Sequence, residues 1–196
     1  MGQSARHEKQ RDVRAGLLCA EAFQRLSEPL IFRIAGEVNE GRQEPSAELG
    51  DVVAAAANLA FALELYLKTL LAQMGLPVPQ HHNLRELYDA VPLPTKGQIQ
   101  EKYDTAWRSE WNGRRASIAV AKGPPDPPIW DDYREKQKDI AHLLERARDC
   151  FHSWRYIWEY ARPPDTHYQF HEFEYGLLLS ACVAVRATIM DGLSDD

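Results

Sequence analysis

Apolar residues recur every three or four positions along most of the chain, whereas no segment alternates steadily between apolar and polar residues. The first spacing places side chains on one face of an α-helix, and the second would indicate a half-buried β-strand. The helical spacing is clearest over several turns through Val52, Ala56, Leu59, Leu63, Tyr66, Leu70 and Met74. The pattern therefore predicts an all-α fold.

The helical spacing divides into four main helices, predicted at about residues 8–37, 46–74, 131–162 and 166–193. In the first helix, Pro29 is expected to kink or divide the segment, because proline lacks the N–H group that an interior turn needs. In the second, Gly75 lies where a left-handed C-terminal cap belongs. The main helices thus begin and end at residues suited to those positions.

Further elements are predicted between the second and third main helices. A short helix runs from about Leu84 to Ala90 with Asn83 as its N-terminal cap, and another amphipathic stretch runs from about Thr95 to Trp111. Four prolines between Pro124 and Pro128 then require an extended loop. We interpret residues 92–130 as an insertion into the helical domain.

The composition is typical of a soluble globular protein, with 44% hydrophobic and 27% charged residues. A chain of 196 residues can bury one substantial core, so we expect a single domain over residues 1–196. The net charge of −6 supplies no overall positive field for nucleic acid. Contact with RNA would need a local patch, for which Trp107 and Trp111 are interleaved with Lys96, Lys102, Arg108, Arg114, Arg115 and Lys122. Solvated helix faces have the same pattern.

The apolar run at residues 52–74 is long enough to resemble a membrane span. Glu64 and Lys68 lie near its middle, where a charge costs about 3 kcal/mol on insertion scales. We therefore predict a buried core helix and no contact with a membrane.

Cys19, Cys150 and Cys182 are odd in number and far apart, which argues against a disulfide framework or a four-cysteine zinc site. The N-terminal residues lack the apolar segment of a secretory signal. We therefore expect reduced thiols in a cytoplasmic protein.

Two segments carry a resemblance to a known family. Residues 58–92 combine an apolar helix that bears Glu64 and Lys68 with a short loop, and His82 then precedes a small helix with two leucines. This arrangement resembles the prokaryotic HEPN superfamily. Residues 154–160, WRYIWEY, are similar to the "RY..E" stretch on the penultimate helix of HEPN-like proteins, with matching positions at Arg155, Tyr156 and Glu159.

The resemblance implies a four-helix up-and-down bundle, frequent homodimers, and roles in RNA cleavage, toxin–antitoxin pairs and phage defence. It also suggests a polar network between two helices. If those helices pack antiparallel, Glu64 could reach Arg155 while Lys68 reached Glu159. Such a network could set the register of the core, or it could bind a ligand or an RNA phosphate in the groove of the bundle.

Catalytic HEPN ribonucleases carry an arginine followed closely by a histidine, and Arg162 and His167 have that spacing. The histidine can move the proton of the 2′-hydroxyl group while the arginine holds the scissile phosphate, so no metal or cofactor is needed. Pro163 and Pro164, however, place this pair in a turn rather than on a helix.

A metal site is a further alternative, because His167 and His171 lie four residues apart, beside Glu172 and Glu174. Capping and surface positions explain these histidines more simply, so we predict no metal.

The leading hypothesis is an HEPN-like protein of a prokaryotic stress, defence or toxin–antitoxin setting, which associates with RNA as a homodimer and cleaves it without metal. The alternative is a non-catalytic HEPN-like module that binds a protein partner, such as a nucleotidyltransferase, or a small nucleotide.

Overall fold

Helices account for most of the residues that the computed structural model describes, which are residues 3–40, 49–120, 130–151 and 171–194. In chain order, the helices are α1 (Gln3–Asn39), α2 (Leu49–Gln73), α3 (Leu84–Asp89), α4 (Leu93–Glu110), α5 (Trp130–Gln137), α6 (Ile140–Arg146) and α7 (Tyr175–Ser194). Two short strands, β1 (Ser117–Val120) and β2 (His171–Glu174), pair antiparallel. The predicted all-α class is confirmed, and the strand pair is an addition that the periodicity did not predict.

Helix α1 packs along α2 in the opposite direction. Arg33 of α1 binds Asp51 near the start of α2 through an Nη2–Oδ2 contact of 3.0 Å. Farther along α2, the hydroxyl of Tyr66 donates to Oε1 of Gln24 at 2.8 Å. Because later residues of α2 meet earlier residues of α1, the two helices are antiparallel neighbours.

Helices α2 and α7 run in the same direction. The hydroxyl of Tyr175 donates to the carbonyl of Val52 at 2.9 Å, and both residues lie near the start of their helices. At the other end, Nε2 of Gln73 donates to the carbonyl of Ile189 at 2.9 Å. Parallel second and fourth helices are what an up-and-down bundle requires.

Helix α4, which was interpreted as part of an insertion, packs antiparallel on α7. Lys102 binds Asp191 near the end of α7, and its Nζ lies 3.4 Å from Oγ1 of Thr188. Trp111, just after α4, lies against Gly176 at the start of α7. Neighbouring helices thus cover α7 on several sides.

The core lies mainly between α1, α2, α4 and α7, where apolar side chains such as Leu63, Leu67 and Val185 are fully buried. By length and composition alone, α2 and α7 each include a stretch apolar enough to cross a membrane. Within the protein, 56% and 61% of those stretches are buried. The burial of α2 is consistent with the prediction that residues 52–74 form a buried core helix.

Pro29 lies inside α1, and the helix continues through it, so the division that was one of its two expected effects does not occur. An interior proline costs about 3 kcal/mol. Ile31 and Ile34 in the following turn are fully buried, and their packing offsets that cost.

The continuous helix predicted over residues 131–162 is wrong in its described part, because the chain leaves the helical conformation between α5 and α6. Asp139 caps α6, with its Oδ1 accepting from the N–H groups of Ala141 at 2.7 Å and His142 at 3.3 Å. An aspartate in this role starts a new helix rather than continuing the old one.

Side chains of α4 bind the backbone at the break between α5 and α6. The side chain of Gln100 accepts from the N–H of Ile140 at 3.0 Å and donates to the carbonyl of Lys138 at 3.1 Å. The buried hydroxyl of Tyr103 donates to the carbonyl of Gln137 at 2.7 Å. These contacts satisfy backbone groups that the interrupted helix leaves unpaired.

The last helix begins at Tyr175 rather than near Thr166, because residues 171–174 form strand β2. In the ladder, Ile118 lies opposite Phe173, whose side chain is buried. A strand of four residues is too short to show a reliable alternation in the sequence. The partner strand, which supplies the hydrogen bonds, is far away along the chain.

We expect the Gly176→Ala substitution to lower the free energy of unfolding by about 1–3 kcal/mol, the usual cost of overpacking a core. A Cβ atom at this position would lie 2.6 Å from Cδ2 of the buried Trp111 ring. Urea denaturation checks the loss. The control is Gly97→Ala in α4, where nothing lies within 4 Å of the added atom. Helix propensity should make that variant more stable by about 0.5–1 kcal/mol, and equal losses would contradict the packing.

A second prediction concerns alkaline pH. Burial raises the pKa above its usual value in four described tyrosines, which are Tyr66, Tyr88, Tyr103 and Tyr175. The pKa of Tyr88 reaches about 12. Each hydroxyl therefore loses its proton more easily in the unfolded chain. Their contribution to stability is complete below about pH 10 and is lost as the pH rises toward the folded-state values.

Denaturation at a series of pH values checks this expectation. We expect Tyr88→Phe to match the wild-type protein near pH 8 and to lose less stability between pH 10 and 12. Identical losses in the two proteins would mean that Tyr88 titrates normally.

Candidate functional site

A buried carboxylate lies at the centre of the polar residues predicted from the sequence. The side chain of Glu64, on α2, is 2% exposed. Its Oε1 accepts from Nζ of Lys68 at 2.8 Å. Nδ1 of His82 lies 2.9 Å from Oε1 and 3.0 Å from Oε2. The structure thus brings together three predicted site residues.

The two partners explain how an apolar helix can hold Glu64. Removing a carboxylate from water costs several kcal/mol of desolvation free energy. A well-formed ion pair is needed to offset that cost. Lys68 follows Glu64 by four residues, the favourable order for an ion pair within a helix. His82 supplies a second contact from outside the helix, so both carboxylate oxygens have a partner.

The loop between α2 and α3 carries His82 to Glu64. It begins at Gly75, whose φ of 73° permits the left-handed cap, and the N–H of Leu76 donates to the carbonyl of Leu71 at 2.9 Å. The predicted cap is therefore confirmed. Pro77 and Pro79 follow, and each proline ring fixes the local φ angle.

The far end of the loop is held at the start of α3. Oδ1 of Asn83 accepts from the N–H of Glu86 at 3.1 Å, which confirms the predicted N-terminal cap. The N–H of Leu84 donates to the carbonyl of Arg148 at 3.0 Å, which ties α3 to the segment after α6. His82 is thus positioned from both sides.

Aromatic rings form one wall of the site. The ring of Phe151 lies 5.3 Å from the imidazole of His82 and stacks on Phe61 at 4.9 Å. Phe61 meets Phe23 of α1 edge to face at 4.7 Å. No local signal identified Phe151 as a site residue, because its neighbours come from distant parts of the chain.

This arrangement orients an imidazole for proton transfer. An ionised carboxylate only accepts hydrogen bonds, so Nδ1 of His82 carries the hydrogen that faces Glu64. The other nitrogen, Nε2, is then the basic one. The His82 side chain is 54% exposed, so a ligand can approach it. A carboxylate that orients a histidine is a common arrangement in general acid–base catalysis.

A family match covers the same segment. Residues 42–117 match the family model described as the HEPN domain. The predicted resemblance of this segment to the HEPN superfamily is therefore confirmed. The match extends over fewer than half of the 196 residues and includes Glu64, Lys68 and His82. No curated protein and no solved structure matches the chain.

The basic stretch at residues 96–115 is largely neutralised by nearby acids. Ion pairs join Lys96 to Asp89, Lys102 to Asp191, Arg108 to Asp104, and Arg114 to Glu110. Trp107 and Trp111, the candidates for stacking on bases, are buried at 7% and 2% exposure. The stretch therefore has the properties of a helix that packs its tryptophans inward and pairs its charged side chains with acids. Lys122 lies outside the described residues.

A second buried ion pair was not predicted from the sequence. Nε of Arg134 lies 3.6 Å from Oε1 of Glu174, and their side chains are 16% and 3% exposed. Nη2 of Arg134 also donates to the carbonyls of Arg114 and Trp111. The two residues lie far apart in the sequence, and no local pattern marks them as partners.

This pair involves Glu174, which was one of the candidate ligands of a metal site. Glu174 contacts Arg134, and His171 lies on strand β2, while His167 lies outside the described residues. Within residues 3–40, 49–120, 130–151 and 171–194, no group of histidine, cysteine and acidic side chains could hold a metal ion.

The remaining predicted residues lie outside the described part of the chain. They are Arg155, Tyr156, Glu159, Arg162 and His167. The proposed contacts of Glu64 with Arg155 and of Lys68 with Glu159 stay predictions. Phe151, at the edge of the described residues, packs beside His82.

We expect Lys68→Met to lower the free energy of unfolding by about 1–3 kcal/mol, because a buried carboxylate loses a charged partner. The control is Arg108→Met, which removes an ion pair of the same sequence spacing from the surface. That pair is worth less than about 1 kcal/mol. Urea denaturation measures both losses, and a larger loss for the control would contradict a buried network at Glu64.

Proposed function

We propose that this HEPN-like protein associates with RNA and cleaves it without a metal ion, in a prokaryotic stress, defence or toxin–antitoxin setting. The observation that carries the proposal is the half-exposed imidazole of His82, which the buried carboxylate of Glu64 holds at 2.9 Å. The HEPN match over residues 42–117 adds support, since the resemblance implies RNA cleavage among the roles of that superfamily.

The chemistry needs a base, an acid and a positive charge near the phosphate. Nε2 of His82 removes the proton of a ribose 2′-hydroxyl group, whose oxygen then attacks the adjacent phosphorus. The bond from phosphorus to the 5′-oxygen breaks, and this oxygen takes up a proton. The products are a 2′,3′-cyclic phosphate and a 5′-hydroxyl end. Lys68 supplies positive charge beside the imidazole.

Arg162 and His167 would complete this chemistry. The HEPN resemblance implies that Arg162 holds the scissile phosphate while His167 transfers a proton. Reaction by two histidines needs one in its basic form and one in its acidic form, which predicts a bell-shaped dependence of the rate on pH.

The test is incubation of the purified protein with cellular RNA in the presence of a metal chelator. We expect His82→Gln and the double variant Arg162→Ala/His167→Ala each to slow cleavage by about 100-fold or more, the usual effect of losing a general acid or base. Products of the wild-type protein should carry cyclic phosphate ends. Rates are measured by gel electrophoresis of end-labelled fragments.

His142→Gln is the matched control. His142 is a 64% exposed histidine beside an aspartate, with Nδ1 3.7 Å from Oδ1 of Asp139, and it lies on α6. We expect this variant to cleave RNA at the wild-type rate. Equal cleavage by the wild-type protein and His82→Gln would remove His82 from the mechanism, and no cleavage by the wild-type protein would rule out the ribonuclease.

A second candidate is a non-catalytic HEPN module that binds a protein partner, such as a nucleotidyltransferase, or a small nucleotide. The neutralised basic stretch favours it, because Lys102 and Arg108 already pair with acids and offer little charge to an RNA strand. In that case Glu64 and its partners serve as a structural network, and the RNA assay detects no cleavage.

A further inference from the structure

An apolar stripe lies on the solvent side of α1. Leu18 and Leu26 are 64% and 63% exposed, far more than core leucines. Ala15, Ala22 and Pro29 lie on the same side, and none of them is buried. At about 100° per residue, the five positions fall within an arc of about 80° around the helix. They therefore form one continuous surface.

The stripe is symmetric along the helix. Leu18 lies four residues before Ala22 and Leu26 four residues after it, while Ala15 and Pro29 lie seven residues before and after. A small residue at the centre permits close approach of a second helix. We propose that α1 pairs antiparallel with α1 of a second copy of this chain, with the two-fold axis beside Ala22. Leu18 of each protomer then packs against Leu26 of the other.

Charges on one flank of the stripe support this occupant. Arg14 and Arg25 are exposed and have no ion pair among the described residues, and Glu21 and Glu28 lie on the same flank. In an antiparallel pair centred on Ala22, Arg25 lies within about 3 Å of the partner's Glu21 along the helix axis. Arg14 lies equally close to the partner's Glu28.

A parallel pairing has no such complementarity, because its two-fold axis would run along the helices and place the charged flanks of the two copies on opposite sides. Glu21 already accepts from Nε of Arg186 at 2.7 Å. A carboxylate has room for both arginines, since its two oxygens accept several hydrogen bonds. The antiparallel arrangement is also isologous, the type of interface that closes a dimer.

Helix α7 extends the apolar surface. Val183 and Met190 are 43% and 38% exposed, and they lie on the same side of α7 as Arg186. Because Arg186 binds Glu21, this side of α7 borders the charged flank of the stripe. A second copy seated on α1 would therefore cover part of α7 as well. This inference does not depend on RNA cleavage.

Sedimentation equilibrium of the full chain tests the pairing. We expect the wild-type protein to be a dimer and the Leu18→Asp/Leu26→Asp variant to dissociate at least about tenfold more readily, since two apolar anchors become charged. Circular dichroism checks that the variant stays helical. A monomeric wild-type protein, or a dimer that the double variant leaves intact, would overturn the proposal.

Charge exchange tests the direction of the helices. Arg14→Glu places two acids side by side and should weaken the dimer, whereas Arg14→Glu/Glu28→Arg restores the opposite charges and should return it toward wild-type strength. Failure of the second substitution to rescue the first would contradict the antiparallel register.

Cysteine cross-linking tests the position of the axis. In a Cys19→Ser background, Ala22→Cys should form a disulfide-linked dimer under mild oxidation, because the two residues meet at the axis. Ser109→Cys, which is exposed on α4, is the control and should stay monomeric on a non-reducing gel. Equal cross-linking of the two variants would contradict the assigned surface.

Discussion

A carboxylate enclosed by apolar helices needs hydrogen-bond partners, and this requirement determines much of the structure around Glu64. One partner, Lys68, comes from the same helix, and the other, His82, must be delivered by the following loop. The end of α2 and the start of α3 are placed accordingly. Helix α3 in turn is fixed to the segment after α6 through the carbonyl of Arg148. The buried charge thus fixes the loop that joins α2 to α3.

Features that depend on nearby residues were predictable from the sequence. The length of α2, the left-handed cap at Gly75 and the cap at Asn83 each follow from a few neighbouring side chains. The Glu64–Lys68 pair also follows from local spacing. His82 joined this group through the family resemblance alone, because the spacing of residues does not reveal which way a loop folds.

Features that depend on distant partners were not predictable in the same way. Asp139 could have continued a helix, but it starts a new one because Gln100 from α4 satisfies the backbone of the break. The strand at residues 171–174 exists through its pairing with β1. The pairing of Arg134 with Glu174 likewise joins elements far apart in the chain. In each case tertiary contacts decide between local conformations that the sequence leaves open.

The loop that carries His82 has a consequence for conformational entropy. Pro77 and Pro79 restrict the backbone before folding begins, so the unfolded loop samples fewer conformations than a chain without prolines. Gly75 at one end and Asn83 at the other confine the conformation further once α2 and α3 have formed. Much of the ordering needed to place the imidazole is therefore present in the free protein. A ligand that binds there need not organise this loop itself.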